Sequence, residues 1–385
     1  MNPRPAYLLP VVVVAQFAGT SLWFAVNAVM QNLQAFHSQT SAFMSTMTVA
    51  VQLGFVLGTL IYSYFSIADR FSPVKVFMIS AGLAAICNLG VLLNYDSLLG
   101  LFLTRLSVGF FLAGVYPVGM KICSDWYEKG LGKALGYLVG ALVLGTAFPH
   151  LLKTLSFQLS WQYVIVITSI LAISGGLVVG LFLNDGPFRR VSGAFNPNVL
   201  RLVFQNLDFR RFAFGYFGHM FELYTFWAFV PILLGTYAQL TDSQINISFW
   251  SFIIIASGAL GCVLTGELSL RWGSQRTAWW ALATSCVCCF LCLFLASFPL
   301  ALCLFFLLVW GISVVGDSPQ FSTLVSQNAP ADYRATALTL VTSIGFFITI
   351  PSLYLTQWLF GLYGYPALAI LALGGLFGLR AMKFP

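Results

Sequence analysis

The sequence predicts an all-α membrane protein: twelve transmembrane helices in two six-helix halves related by a pseudo-repeat. Three observations lead there. The chain is 59% hydrophobic and 8% charged, with a mean hydropathy of +0.90, whereas a soluble domain carries about a quarter charged residues. Apolar stretches of about 20 residues, long enough to cross a bilayer as helix, recur along it. One residue pattern also appears twice: Gly109-x4-Gly114-x2-Pro117 returns as Gly311-x4-Gly316-x2-Pro319, at an offset of 202. Arg70-Phe71-x3-Lys75 returns as Arg271-Trp272-x3-Arg276, Lys133-Ala134 as Arg334-Ala335, and Pro149 as Pro351.

The first half, residues 1–183, holds expected spans at 7–30, 42–66, 74–94, 97–123, 133–155 and 161–183. The second, 211–385, holds 211–237, 245–269, 276–296, 299–325, 333–358 and 363–381. All are too long for barrel strands, which run to about 10 residues of alternating polarity. The first follows a single basic residue, Arg4, lacks a small-x-small cleavage site and is read as helix 1 rather than a signal peptide. Between the halves, 184–210 breaks the apolar pattern with Gly, Pro, Asn and arginines and reads as a linker.

The net charge of +7 does not point to nucleic acid, because of where it sits. With the N-terminus inside, all 18 basic residues except Arg105 and Lys153 fall on loops that then face the cytoplasm. They include Arg4, Lys129, Arg189, Arg190, Arg201 and Arg334. Cytoplasmic loops collect Lys and Arg, so both termini and the linker are expected inside.

Spans 4 and 5 carry family-level patterns. Arg105-x3-Gly109-x3-Ala113-Gly114-x-Tyr116-Pro117 resembles the helix-4 pattern of the major facilitator superfamily. Ala68-Asp69-Arg70-Phe71-Ser72-Pro73-Val74-Lys75 is similar to that family's loop 2–3 signature, with Phe65 and Ser72 standing where the signature has glycines. Gly136-x3-Gly140-x4-Gly145-x3-Pro149 resembles its helix-5 antiporter pattern. The resemblance implies a secondary transporter working by alternating access on a small-molecule substrate, as a monomer in a bacterial inner membrane. It also implies that Asp69, Arg70 and Lys75, with Arg271 and Arg276 in the second half, gate the cytoplasmic side. The helix-5 pattern leans toward efflux. Glycines spaced by four or five let membrane helices approach closely, and the prolines permit bends.

Ionisable groups inside spans are functional candidates, because an unpaired charge there is costly. His219 and Glu222 lie three residues apart on one face of span 7. Glu222 falls about 17 Å from Arg211, near the midplane. Desolvation at that depth disfavours a bare carboxylate, which makes Glu222 the expected proton carrier with His219 as its partner. Asp317 in span 10 is a further proton-coupling candidate. Arg105 needs a carboxylate, a carbonyl cage or an anionic substrate; the last would make the protein an organic anion uptake permease. With Tyr116, Asn27, Tyr224 and Trp227 it makes up the expected substrate cavity. His150 and Lys153 count to the outer end of span 5, where hydration is expected.

Against an enzyme, there is no Gly-x4-Gly-Lys-Ser/Thr loop for a nucleotide, no His-Glu-x2-His and no Gly-x-Ser-x-Gly. Cys286, Cys288, Cys289 and Cys292 point around one apolar helix and read as small hydrophobes rather than a metal site. No cofactor is expected. A transport-inactive receptor or scaffold is the reading from another class, and it gives no reason for Glu222, Asp317 and Arg105 to lie in spans.

Overall fold

A computed structural model of the chain describes residues 5–37, 43–127, 131–155, 160–189, 198–330 and 334–383, without the side chains of 198–201 and 334–336. Arg4, Lys129, Arg190 and the side chains of Arg201 and Arg334 therefore lie outside the described residues. The chain divides into two compact units, Met1–Asn196 and Pro197–Pro385.

The first unit contains α1 (Leu8–Thr20), α2 (Ala25–Ala28), α3 (Met30–Gln34), α4 (Phe43–Tyr64), α5 (Ile67–Arg70), α6 (Pro73–Leu89), α7 (Leu98–Leu112), α8 (Tyr116–Trp126), α9 (Leu131–Leu155) and α10 (Gln162–Phe182). The second contains α11 (Asn198–Gln205), α12 (Leu207–Thr241), α13 (Ile247–Trp272), α14 (Ser274–Leu291), α15 (Leu300–Gly316), α16 (Ser318–Asn328), α17 (Arg334–Tyr363) and α18 (Ala372–Met382). Among the described residues, 11 helical segments are long and apolar enough to cross a membrane. Two of them, Leu98–Trp126 and Leu300–Asn328, join consecutive helices across the Gly114–Pro117 and Gly316–Pro319 motifs. In each, the proline sits in the first turn of the new helix, where its missing N–H costs no hydrogen bond.

The expected span 7–30 is not one rod. It breaks after α1, a shorter apolar helix of 13 residues, and resumes as α2 and α3. Thr20 Oγ1 donates to the Gln16 carbonyl at 2.8 Å and Ser21 Oγ to the Ala18 carbonyl at 2.7 Å. Hydroxyls that bond backward in this way compete with the helix ladder. The linker also differs from the expectation: α11 and the first turn of α12 occupy part of 184–210, so the seventh span starts at Leu207. Asn206 caps α12 by accepting from the Asp208 and Phe209 N–H groups.

Glycines set the helix spacing in both units. A Cβ on Gly109 would overlap the Val51 carbonyl, and one on Gly58 the Phe110 carbonyl, so α4 and α7 meet backbone to backbone. In the second unit Gly311 lies against the Ile254 carbonyl and Gly261 against the Ile312 carbonyl, which joins α13 to α15 in the same way. Gly218 and Gly374 face each other's carbonyls and bring α12 onto α18. Lipid tails offer no hydrophobic drive for helices to associate, so such close contact supplies the packing energy.

Candidate functional site

In the second unit, α12 is buried along most of its length and carries Glu222 and His219 into the bundle, each 1% exposed. Trp310 Nε1 on α15 donates to Glu222 Oε1 at 2.6 Å, and Ser285 Oγ on α14 donates to the same oxygen. Among the described residues no lysine or arginine pairs with this carboxylate. Trp310 is itself fixed by Phe226, with ring centroids 4.5 Å apart, and by Phe306. The indole is thus held rigidly, with its one donor spent on Glu222.

His219 does not partner Glu222. Its Nδ1 lies 2.7 Å from Asp317 Oδ1, and both side chains are buried. Asp317 follows α15 and stands at the N-cap position of α16, where free backbone N–H groups favour a negative charge. A three-residue step along α12 therefore separates two arrangements: a carboxylate held by neutral donors, and a carboxylate held by an imidazole. Sequence spacing put His219 and Glu222 on one face but could not show which neighbours each would meet.

Arg105, on α7 of the first unit, is fully buried and meets the carbonyl-cage alternative. One terminal nitrogen donates to Asn88 Oδ1 at 3.1 Å; the other donates to the Leu22 and Trp23 carbonyls at 3.1 and 2.5 Å. Those two carbonyls belong to the break between α1 and α2. Asn88 in turn donates to the Ile165 carbonyl, Thr168 and Ser169 on α10. The guanidinium thereby ties four spans of one unit together through neutral acceptors.

The other expected cavity residues are also buried. Asn27 donates to Thr48 Oγ1 at 2.8 Å, and Tyr224 packs against Trp227 and Phe346. Tyr116 opens α8 and is 9% exposed. The hydration expected for His150 does not hold: its side chain is buried, 2% exposed, on a helix that packs mainly against α1. Lys153, one turn further, donates to Asn32 at 2.6 Å.

At the expected gate, Asp69 pairs with Lys121 at 2.8 Å, and Lys121 lies 3.4 Å from Asp125. Arg70, Lys75, Arg271 and Arg276 are exposed, and none has an ionic partner among the described residues. Sequence reasoning missed Trp310, Ser285 and Asn88. The available signal was a polar atom in an otherwise apolar span, which for Asn88 is plain and for tryptophan nearly absent.

Comparison with known proteins agrees with this architecture. The chain superposes on a bacterial homolog to the human lysosomal transporter Spinster, in an inward-facing and unoccupied conformation, with a TM-score of 0.71 at 15% identity over 100% of this chain and 96% of that one. It superposes on a point mutant of the nucleoside transporter NupG with 0.71 at 16% identity, over 97% and 98%. For the human organic anion transporter MFSD10 the values are 0.74, 14%, 98% and 100%. At such identities the likeness speaks for the fold alone. No curated protein sequence matches the chain. The family pattern of the Major Facilitator Superfamily, however, matches residues 8–353. With its run of membrane-length helices and a fold shared with transporters, the chain is an integral multi-pass transport protein and belongs to the Major Facilitator Superfamily.

Proposed function

We propose that the protein is a proton-coupled secondary transporter that moves a small organic solute by alternating access, with Glu222 as the proton carrier. The observation that carries this reading is the state of Glu222: fully buried, with two neutral donors on Oε1 and no paired cation among the described residues. Such a carboxylate can hold a proton on its other oxygen without dismantling its surroundings, and giving that proton up leaves a charge that must be hydrated or passed on. Asp317 with His219 is a second, separately held proton site. The charge distribution supports placing both termini and the linker in the cytoplasm of a bacterial inner membrane. Tyr116, Asn27, Tyr224 and Trp227 are at most 9% exposed, so contact with solute requires the transport cycle to uncover them. The engagement of both terminal nitrogens of Arg105 by the protein itself supports a structural role over that of an anion clamp, although its Nε has no partner among the described residues.

The test uses proteoliposomes under an imposed pH gradient, screened with a nucleoside (uridine), a carboxylate (succinate) and an organic cation (ethidium). For whichever probe the parent protein accumulates, Glu222→Gln should abolish proton-driven accumulation while retaining exchange of that probe. Unchanged accumulation by Glu222→Gln would move the carrier role to Asp317. Uptake by the parent that ignores the pH gradient would remove proton coupling altogether.

A further inference from the structure

The loop between α4 and α6 is held in place, but not by the basic residues of its own signature. Arg189, at the far end of the short segment that follows α10, donates from one terminal nitrogen to Asp185 Oδ2 at 2.7 Å. From the other it donates to the Asp69 and Phe71 carbonyls, at 2.9 and 2.8 Å. The second oxygen of Asp185 accepts from Ser72 Oγ at 2.6 Å. The same segment is pinned from its other side. Trp126 Nε1 donates to the Asn184 carbonyl at 3.0 Å, and the Phe188 N–H donates to the Asp125 carbonyl at 3.0 Å. Gly186 lies so close to the Asp125 carbonyl that a Cβ would overlap it.

We propose that Asn184–Arg189 is a clasp: Asp185 and Arg189 are the positioning residues that fix the α4–α6 loop against the end of α8. The guanidinium holds the backbone at Asp69, whose carboxylate reaches Lys121. The clasp also explains a departure from the family signature. Ser72 stands where a glycine is usual, yet its φ is −58°, a conformation open to any residue. Its hydroxyl is then free to bond Asp185 and to accept from the Lys75 N–H at the start of α6. The repeat-matched loop of the second unit keeps glycine at 273, where φ is +80°. The Arg189 and Asp185 side chains are each about a quarter exposed, so charge attraction alone contributes little. What the arginine supplies is a planar fork that meets three acceptors at once, which a lysine cannot do.

The meaning of the clasp for gating rests on the transporter reading above, but its test needs no transported solute, so the two can fail separately. A nitroxide is attached to the thiol of Arg70→Cys, an exposed position without an ionic partner among the described residues, in a Cys87→Ser background; the remaining native cysteines are buried. The parent should give a motionally restricted spectrum. Arg189→Ala should narrow it, with several-fold faster rotation of the label, and Arg189→Lys should narrow it nearly as much although the cytoplasmic positive charge is kept. Should Arg189→Ala fail to fold, Ser72→Gly removes one hydroxyl and restores the usual signature residue; it should give a spectrum between the two. A spectrum for Arg189→Lys as restricted as the parent's would show that charge suffices and overturn the clasp. An unchanged spectrum in Ser72→Gly would overturn the link through Asp185.

Discussion

Both units carry ionisable groups inside their spans, and they accommodate them in opposite ways. In the first unit Arg105 is surrounded by an amide oxygen and two backbone carbonyls, all neutral. An arginine does not give up its proton in proteins, so this charge is fixed and its surroundings are built to match one state. In the second unit the ionisable groups Glu222, Asp317 and His219 sit among neutral donors, a serine hydroxyl and an indole N–H, so the protons that can move are those of the two acids and the imidazole. The helix contacts, in contrast, match: glycine against carbonyl at 109 and 311, and again at 58 and 261. Units with similar glycine contacts thus carry a structural charge in one case and titratable chemistry in the other, and the difference separates what must stay still from what can change.

The largest effect should come from the fixed charge. Arg105→Leu leaves the Leu22 and Trp23 carbonyls and the Asn88 oxygen without their donor. Each buried acceptor left without its donor costs about 1–3 kcal/mol. Loss of monodisperse protein after detergent extraction is the expected result, whereas Glu222→Gln should remain folded in the same assay. Equal behaviour of the two variants would erase the contrast between the units.

The glycine contacts come next. Gly109→Ala and Gly311→Ala should each destabilise by about 1–3 kcal/mol, the usual cost of overpacking. They should also do so to a similar degree if the two helix pairs are equivalent. Gly136, with nothing within 4 Å of an added Cβ, is the control: Gly136→Ala should be neutral or slightly stabilising, because it favours helix. Thermal unfolding of the three variants reads this directly. A smaller effect, near 1 kcal/mol, is expected for Trp310→Phe, which keeps the ring packing and removes one donor from Glu222. Its signature is a shift in the pH dependence of transport rather than a loss of fold. Smallest of all, Arg70→Ala should change stability by less than about 0.5 kcal/mol, since the side chain is exposed and has no ionic partner among the described residues.

Much of this was legible in the sequence, and the rest was not for definable reasons. Composition and span length fix the class because a bilayer leaves few alternatives for a chain this apolar. Glu222, Asp317 and Arg105 stand out because charges in spans are rare. The pairing of His219 with Asp317 was hidden, since it joins α12 to the end of α15 across about a hundred residues of chain. Depth counting along α9 gives a level for His150 but not which side of the helix it occupies, and that side is buried. The break after Thr20 was equally hidden: hydroxyls in a membrane span usually leave the helix intact, and here a partner from α7 takes up the freed carbonyls. Arg70 was singled out by its motif, yet Asp69, Lys121 and Arg189 make the contacts.

The close crossing of α12 with α18 also bears on how the chain is made. Helix α12 enters the membrane with Glu222 and His219, but their partners lie at 285, 310 and 317, and the helix that packs on Gly218 begins only at 372. For the time needed to synthesise roughly a hundred further residues, at about 5–20 per second, a newly inserted helix holds two ionisable side chains with no companions. A chain arrested near residue 280 should therefore be retained by the insertion machinery or degraded, while one arrested near residue 190, with Arg105 already caged, should be released as a stable half. Comparing the lifetimes of the two fragments in cells would show whether the order of synthesis, as much as the finished bundle, constrains where a transporter can place its buried acids.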